Sequence, residues 1–439
     1  MRSTMLSRRR SAAAAISVIA ALTLAACGTA EPADTSTAGD DKEVTLRVYW
    51  WGGDARHQRT QEAIDAFEEK HPNITIEGEF ADWSGYWDKL ATGVAGNNAP
   101  DVVQMDEMYL ASYADRGVLA DLGSISALDT SAFDESVLGL GQLDGKQYAM
   151  PISTAAWGVL VNDDLMAQLG LTLPDSDKWT WEEFDQFAAS VSAASGGEIV
   201  GISSGANAYS VRLWARQNGE ELFKDGAVSI SPATMAGYFQ LVLDWTKSGA
   251  AAPASVQAET ASLPLDQLPF STGKQALLFS QVSQISAYAD AAGGANISVV
   301  QQPTEDANGT PYMYLKPGMY WSVTARSEHP VESAMFVDFM LNSEEAGEIL
   351  GTERGIPANP QVRDAIASTL TPNEQKALDF TARVEENLGE APEITPNGAS
   401  SVDQLIARYT QEVTFERLTP LDAAEGFIKE LQASIDAAG

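Results

Sequence analysis

The sequence predicts an α/β protein built as two lobes, and three observations lead there. Between Val44 and Met105 the hydrophobic pattern reads strand, helix, strand, helix, strand, an order that implies a parallel sheet. Roughly 400 residues follow the N-terminal leader, more than one ordinary domain and suited to two. The small residues Ser153-Thr154-Ala155-Ala156 then lead into a new strand and tolerate the backbone changes of a hinge, so a crossing between lobes is placed there, although a tightly packed strand has the same composition.

The leader precedes the fold. Arg2, Arg8, Arg9 and Arg10 form a basic start, and the apolar run from Ala12 to Leu24 is too short to span a bilayer, so residues 1–26 read as a secretory signal. Export through the general or the twin-arginine route stays open. Leu24-Ala25-Ala26-Cys27-Gly28 resembles a bacterial lipobox, in which Cys27 becomes a lipidated N-terminus. Cys27 is the single cysteine of the chain and has no partner for an internal disulfide. Residues 27–43, rich in Thr, Ser, Ala, Gly and Asp, are expected to tether the domain to the outer face of the membrane without entering it. Removing the signal takes four arginines and no acidic residue, moving the formal net charge from −34 to −38. Such a field repels phosphates and excludes nucleic acid as a partner.

The first strand, Val44 to Trp50, opens into Trp51-Gly52-Gly53-Asp54-Ala55-Arg56. Ligands of α/β sheets sit just beyond strand ends. Trp51 offers a flat apolar face there, and Asp54 and Arg56 offer an acceptor and a fork of donors, which together suit a polyhydroxylated ligand. Packing is the alternative for Trp50 and Trp51. Ala55 to Lys70 follows as a helix stopped by His71-Pro72, then a strand over 73–77. Asp82 is placed as the N-cap of a helix with the apolar face Trp83, Tyr86, Trp87 and Leu90. Pro100 to Met105 is a buried strand, and a helix over 107–115 ends near Gly117. Asp144-Gly145 makes the turn of a hairpin.

Thr180 and Glu183 form a capping box, so Trp179 and Trp181 are read as packing, as is Trp245. Residues 201–207 are expected to end a strand, with Asn207 and Trp214 facing a cleft. Residues 273–280 read as a strand ending in Gln281 and Gln284, residues 297–300 as a return crossing, and Tyr320-Trp321 as a third crossing. From Pro357 onward the chain reads as helical, clearest over 402–412 and 421–437, and is expected to pack on the second lobe.

The lipobox, Tyr49-Trp50-Trp51-Gly52, Phe67 to Ile74, Ala99-Pro100-Asp101-Val102, Leu143 to Lys146 with Met150-Pro151, Thr180 to Phe184, Tyr320-Trp321 and Leu350 to Pro357 together resemble the extracellular solute-binding proteins (family 1) of bacterial carbohydrate ABC importers. No single motif is specific; their order and spacing are. The resemblance implies a type II periplasmic-binding-protein-like fold, with three crossings and a sugar held between the lobes for a membrane permease. It implies no catalysis, no cofactor, no metal and a monomer. Domain bounds follow as 44–152 plus 299–320 for the first lobe and 153–298 plus 321–439 for the second. Carried over by analogy as ligand residues are Trp51, Asp54, Arg56, Asp82, Tyr86, Asp106 and Tyr109, then Trp157, Asn207, Trp214, Gln281, Gln284, Tyr320, Trp321 and Arg354.

The rival reading is a secreted glycoside hydrolase using the strand-end carboxylates Asp54, Asp82 and Asp106, which would have to stand about 5 to 9.5 Å apart across the scissile bond. A histidine-based triad or zinc site is disfavoured, because His57 and His71 lie next to helix ends and His329 precedes a proline. A third reading is a binder of a non-sugar solute. An oligosaccharide is favoured over a single sugar by ten tryptophans, some of them explained by packing.

Overall fold

The computed structural model describes residues 42–176, 179–203, 205–261, 263–305, 312–385, 388–389 and 391–438. The signal, Cys27 and all but the last two residues of the tether lie outside the described residues.

Strand β1 (Val44–Trp51) is buried on both faces, and its last four residues are all inside. Helix α1 (Asp54–Lys70) lays Ile64 and Phe67 on the sheet. Then come β2 (Ile74–Ala81), α2 (Trp83–Ala95), β3 (Val102–Met105) and α3 (Glu107–Asp115). Asp82 caps α2, its Oδ1 accepting the Gly85 N–H at 2.7 Å, as expected. The Asp144-Gly145 turn has both residues at positive φ, the geometry of a two-residue hairpin turn. β1 pairs in parallel with both β2 and β3.

The parallel strands are only half of the sheet. β4 (Met150–Ala155) belongs to it, and after Ala156 alone β5 (Trp157–Asn162) belongs to another. The second lobe carries α4 (Trp181–Ala194), α5 (Ala208–Gln217), α6 (Pro232–Ser248) and α7 (Ala254–Thr260). β6 (Leu277–Gln281) and β7 (Ile297–Val300) flank β5 in a three-stranded antiparallel sheet. β8 (Lys316–Val323) returns to the first sheet between β3 and β4, antiparallel to both, and α8 (Pro330–Asn342) packs beside it. β9 (Ile356–Pro357) closes that sheet, whose order is β9-β4-β8-β3-β1-β2. The chain ends in α9 (Pro372–Glu385), α10 (Val402–Thr414) and α11 (Pro420–Ala438) on the second core. The capping box at Thr180 forms, and Trp179 and Trp245 are almost wholly buried.

Two apolar cores result, and they apportion the chain differently from the expected bounds. Tyr320-Trp321 is no crossing, because β8 runs straight through it within the first sheet. Residues 321–350 likewise stay with the first core: Phe336 and Phe339 of α8 lie 5.3 and 5.5 Å from the Phe67 ring. Residues 297–300 lie inside the second sheet, so the return crossing follows them, and the third passage comes after β9. Aromatic residues before an apolar strand do not reveal which sheet the strand joins. Residues 201–207 form no strand; Val200 and Ile202 make isolated bridges only.

Truncating Phe336 to Ala should cost about 3–5 kcal/mol. Hydrogen exchange should then accelerate in β1, with β6 little affected; acceleration in β6 instead would show that α8 supports the second core.

Candidate functional site

Between the cores lies a cavity lined by residues of both. The first lobe gives it Glu107, Met108, Leu140, Lys316, Pro317 and Tyr320; the second gives Trp157, Asn207, Tyr209, Arg212, Tyr314, Thr395 and Asp403. One wall is a stack of rings: Trp157 on Tyr209 at 4.8 Å and 12°, and Tyr209 on Tyr314 at 4.6 Å. These rings come from β5, α5 and the passage into β8, so the crossings themselves bring them together. The Trp157 Nε1 is shielded from solvent and has no hydrogen-bond partner among the described residues.

Facing the stack is a cluster of charges. Glu107 accepts hydrogen bonds from Arg212 Nη2 at 3.2 Å, from the Thr395 N–H at 2.7 Å and from the Thr395 hydroxyl at 2.6 Å. Arg212 Nη1 donates to the Glu393 carbonyl at 3.2 Å. Glu107 sits on a helix of the first lobe and Arg212 on one of the second, so their ion pair ties the lobes together. Burial is the largest influence on Glu107 and pushes its pKa up. Arg212, Lys316 and the two Thr395 bonds outweigh it, and the carboxyl stays ionised below the usual glutamate range. Burial instead dominates at Asp106 and raises its pKa against the pull of Lys316 and the Met108 N–H.

The candidate ligand residues fall into three groups. Trp157, Asn207 and Tyr320 border the cavity, but Tyr320 is fully buried with its hydroxyl donating to the Leu140 carbonyl at 2.7 Å. Asn207 is the N-cap of α5: its Oδ1 accepts the Ser210 N–H at 3.0 Å and its Nδ2 donates to Gly205 at 3.1 Å. Asp106, next to Glu107, caps α3 through the Met108 N–H at 2.9 Å.

A second group sits at the strand ends of the first lobe. Trp51 is wedged edge-on against Trp83 at 5.0 Å and Tyr86 at 5.2 Å, and Tyr109 stacks on Trp87 at 3.9 Å. Within this patch Trp83, 40% exposed, presents an open face, whereas Tyr86 is fully buried with its hydroxyl on the Gln104 carbonyl. Asp54 and Asp82 are exposed, the latter committed to its cap.

The third group is structural. Arg56 is held by both oxygens of Glu353, at 2.9 and 2.8 Å, and by the Trp51 carbonyl. Arg354 is buried over the Trp321 ring, donating to Gln104 and Thr60; burial, then Arg56, lowers its pKa. Trp321 is fully enclosed beside Phe336, and Trp214 packs on Trp181 with its Nε1 on the Thr234 carbonyl. Gln281 and Gln284, at the end of β6, do not border the cavity. Arg56, Arg354, Trp214 and Trp321 are thus engaged in packing or internal pairing, and none of these four, nor Gln281 or Gln284, is among the residues that line the cavity. A side chain beside a strand end points into a cleft or into the core according to its register, which a linear reading leaves open.

Glu107, Arg212, Lys316, Tyr209, Tyr314 and Asp403 escaped the sequence reading. One signal existed: Arg212 stands between Val211 and Leu213, on a helix whose neighbouring positions are buried.

The pattern that defines bacterial extracellular solute-binding proteins matches residues 54–347. The chain belongs to that family. A maltooligosaccharide ABC transporter solute-binding lipoprotein of Streptococcus pneumoniae is 24% identical over 79% of each chain. Other curated relatives match over less: a putative binding protein of Brucella abortus is 28% identical, and this chain spans about two-fifths (42%) of its length. Among solved structures, a family 1 extracellular solute-binding protein of Alicyclobacillus acidocaldarius covers 90% of this chain and all of its own, with 27% identity and a TM-score of 0.71. A periplasmic oligogalacturonide binding protein of Yersinia enterocolitica, in complex with saturated digalacturonic acid, covers the same shares with 25% identity and a TM-score of 0.75. The two-lobed α/β architecture of this solute-binding protein is thus that of its family, one of binding proteins and not of enzymes.

Because the folded Glu107 pKa lies below the ordinary value of about 4.5, the carboxylate supports closure fully above that pH and loses it as pH falls through the lowered value. Small-angle scattering should show a larger radius of gyration on such acidification, and Glu107→Gln should already expand at neutral pH. A radius unchanged in both cases would mean that the ion pair does not hold the lobes. Trp321→Ala should lower stability by about 3–5 kcal/mol, as truncation of a buried aromatic does.

Proposed function

We propose that this solute-binding protein captures an oligosaccharide between its lobes and delivers it to the permease of an ABC importer, while a lipid on Cys27 holds it at the outer face of the bacterial cytoplasmic membrane. The observation that carries this reading is that the Trp157-Tyr209-Tyr314 stack lines one interlobe cavity together with Glu107, Lys316 and Asp403. A pyranose has weakly apolar C–H faces and a polar rim, so rings take the faces and charged groups take the hydroxyls. Hydrogen bonds to charged groups are the stronger kind, about 1.5–3 kcal/mol each. The maltooligosaccharide and oligogalacturonide binders among its relatives agree with this class of ligand.

Closure around the ligand is a population shift toward the form in which both lobes contribute contacts. The permease then meets a shape that the open protein does not present. Hydrolysis is the weaker reading, because Asp82 and Asp106 are committed as helix caps, at 2.7 and 2.9 Å from the N–H groups they accept.

A thermal-shift screen against mono- and oligosaccharides, with chromatography of the same mixtures, tests the proposal. A sugar at 100 times its Kd should add about 2.7 kcal/mol of stability and be recovered intact. Cleaved sugar would make the protein a hydrolase, and no shift with any carbohydrate would redirect the search to other solutes. Trp157→Ala should weaken binding of the identified sugar by about tenfold, from the loss of one ring contact. Cys27→Ser should move the protein from the membrane fraction to the soluble one.

A further inference from the structure

Residues 391–398, between α9 and α10, form neither helix nor strand, and Pro392, Ile394 and Thr395 of this strap line the interlobe cavity. Its prolines at 392 and 396 have no N–H to donate. Among the described residues every hydrogen bond of 392–395 goes to Glu107 or Arg212, except that the Glu393 side chain accepts the Gly226 N–H at 2.7 Å. Ile394 packs against the first core. The strap is therefore held chiefly by the charged pair at the cavity, and not by a ladder of its own.

The Thr395 hydroxyl lies between the two charges. It donates to Glu107 Oε1 at 2.6 Å and accepts from Arg212 Nη2 at 2.8 Å. A hydroxyl can do both at once, and so can each hydroxyl of a sugar. Glu107 Oε1 also takes the Thr395 N–H and Arg212, while its Oε2 has no partner among the described residues. Thr395 is 1% exposed, so a solute hydroxyl reaches the place between Oε1 and Arg212 only after Thr395 has left it.

We infer that Thr395 is a built-in stand-in for a ligand hydroxyl: in the free protein the strap fills the place between Glu107 and Arg212, and an incoming sugar displaces it and takes over both bonds. The inference rests on the sugar-binding reading of the cavity and adds to it a competitor carried by the chain itself. Every ligand's affinity is reduced by the bonds that the strap must break, because only the displaced form is competent to bind. A ligand with a hydroxyl at that point restores those bonds. A ligand that lacks one leaves a buried carboxylate and guanidinium less well satisfied, so the strap selects against it.

Titration calorimetry of the unmodified protein, Thr395→Val and Thr395→Ser with maltotriose, lactose and diacetylchitobiose tests this. Valine keeps the branched side chain and removes the hydroxyl, so a sugar that binds should bind Thr395→Val about tenfold more tightly, the equivalent of one or two hydrogen bonds no longer broken. Thr395→Ser, which keeps the hydroxyl, should show none of this gain. Hydrogen exchange gives a second readout in the unmodified protein. Sugar should accelerate exchange at the Thr395 amide as Glu107 turns to the ligand, whereas an amide in a fixed wall of the cavity would be slowed. Affinity lowered or unchanged in Thr395→Val, or a Thr395 amide protected by sugar, overturns the stand-in and leaves the reading of the cavity intact. Failure of all three proteins to bind any of the sugars overturns that reading, and the stand-in with it.

Discussion

Glu107 and Arg212 come from different lobes and are taken out of water together, and the rest of the site is arranged around that meeting. Either charge buried alone would be costly, and removing one partner of such a pair typically costs about 3–5 kcal/mol. The pair is therefore secure only when the lobes are close enough for Arg212 and Thr395 to reach the carboxylate. The same meeting places Tyr209 of the second lobe and Glu107 of the first around one cavity, with Tyr314 and Lys316 beside them. An interlobe ion pair of this kind is a poor source of net stability against an apolar alternative, but it is a sensitive gauge of the separation between the two lobes.

The backbone arrangement that permits such closure is economical. Ala156 alone separates β4 in the first sheet from β5 in the second, and Trp157, the first residue beyond it, is a wall of the cavity. The passage after β7 delivers Tyr314 and Lys316 to the same cavity from its other side. Because the crossings furnish the site, a change of angle between the lobes and a change in the shape of the cavity are one motion.

Much of the first lobe was legible in the sequence, because its signals are local. The capping role of Asp82, the hairpin turn at Asp144-Gly145 and the strand Val44 to Trp50 each follow from neighbours within a few residues. The division between lobes was not legible beyond Tyr320. Membership of β8 and α8 in the first core is decided by pairing with β3 and by contact with Phe67, more than two hundred residues away in sequence. In the same way Trp157 could be picked out as a candidate, while its partner Tyr209 could not, since ring stacking across the fold has no local period.

The sequence by itself determined the kinds of parts: an α/β chain of high negative charge, with helices and strands whose caps and periods are written in adjacent residues. Tertiary structure alone decided which aromatics face a ligand and which fill a core. Trp157 and Trp321 both precede or lie in apolar strands, yet one lines the cavity and the other is sealed against Phe336. The physical reason is that burial depends on what packs against a strand's two faces, and those neighbours are supplied by distant segments. The same holds for Glu107 and Arg212, which become a pair only because two separately folded cores place α3 and α5 within hydrogen-bond reach.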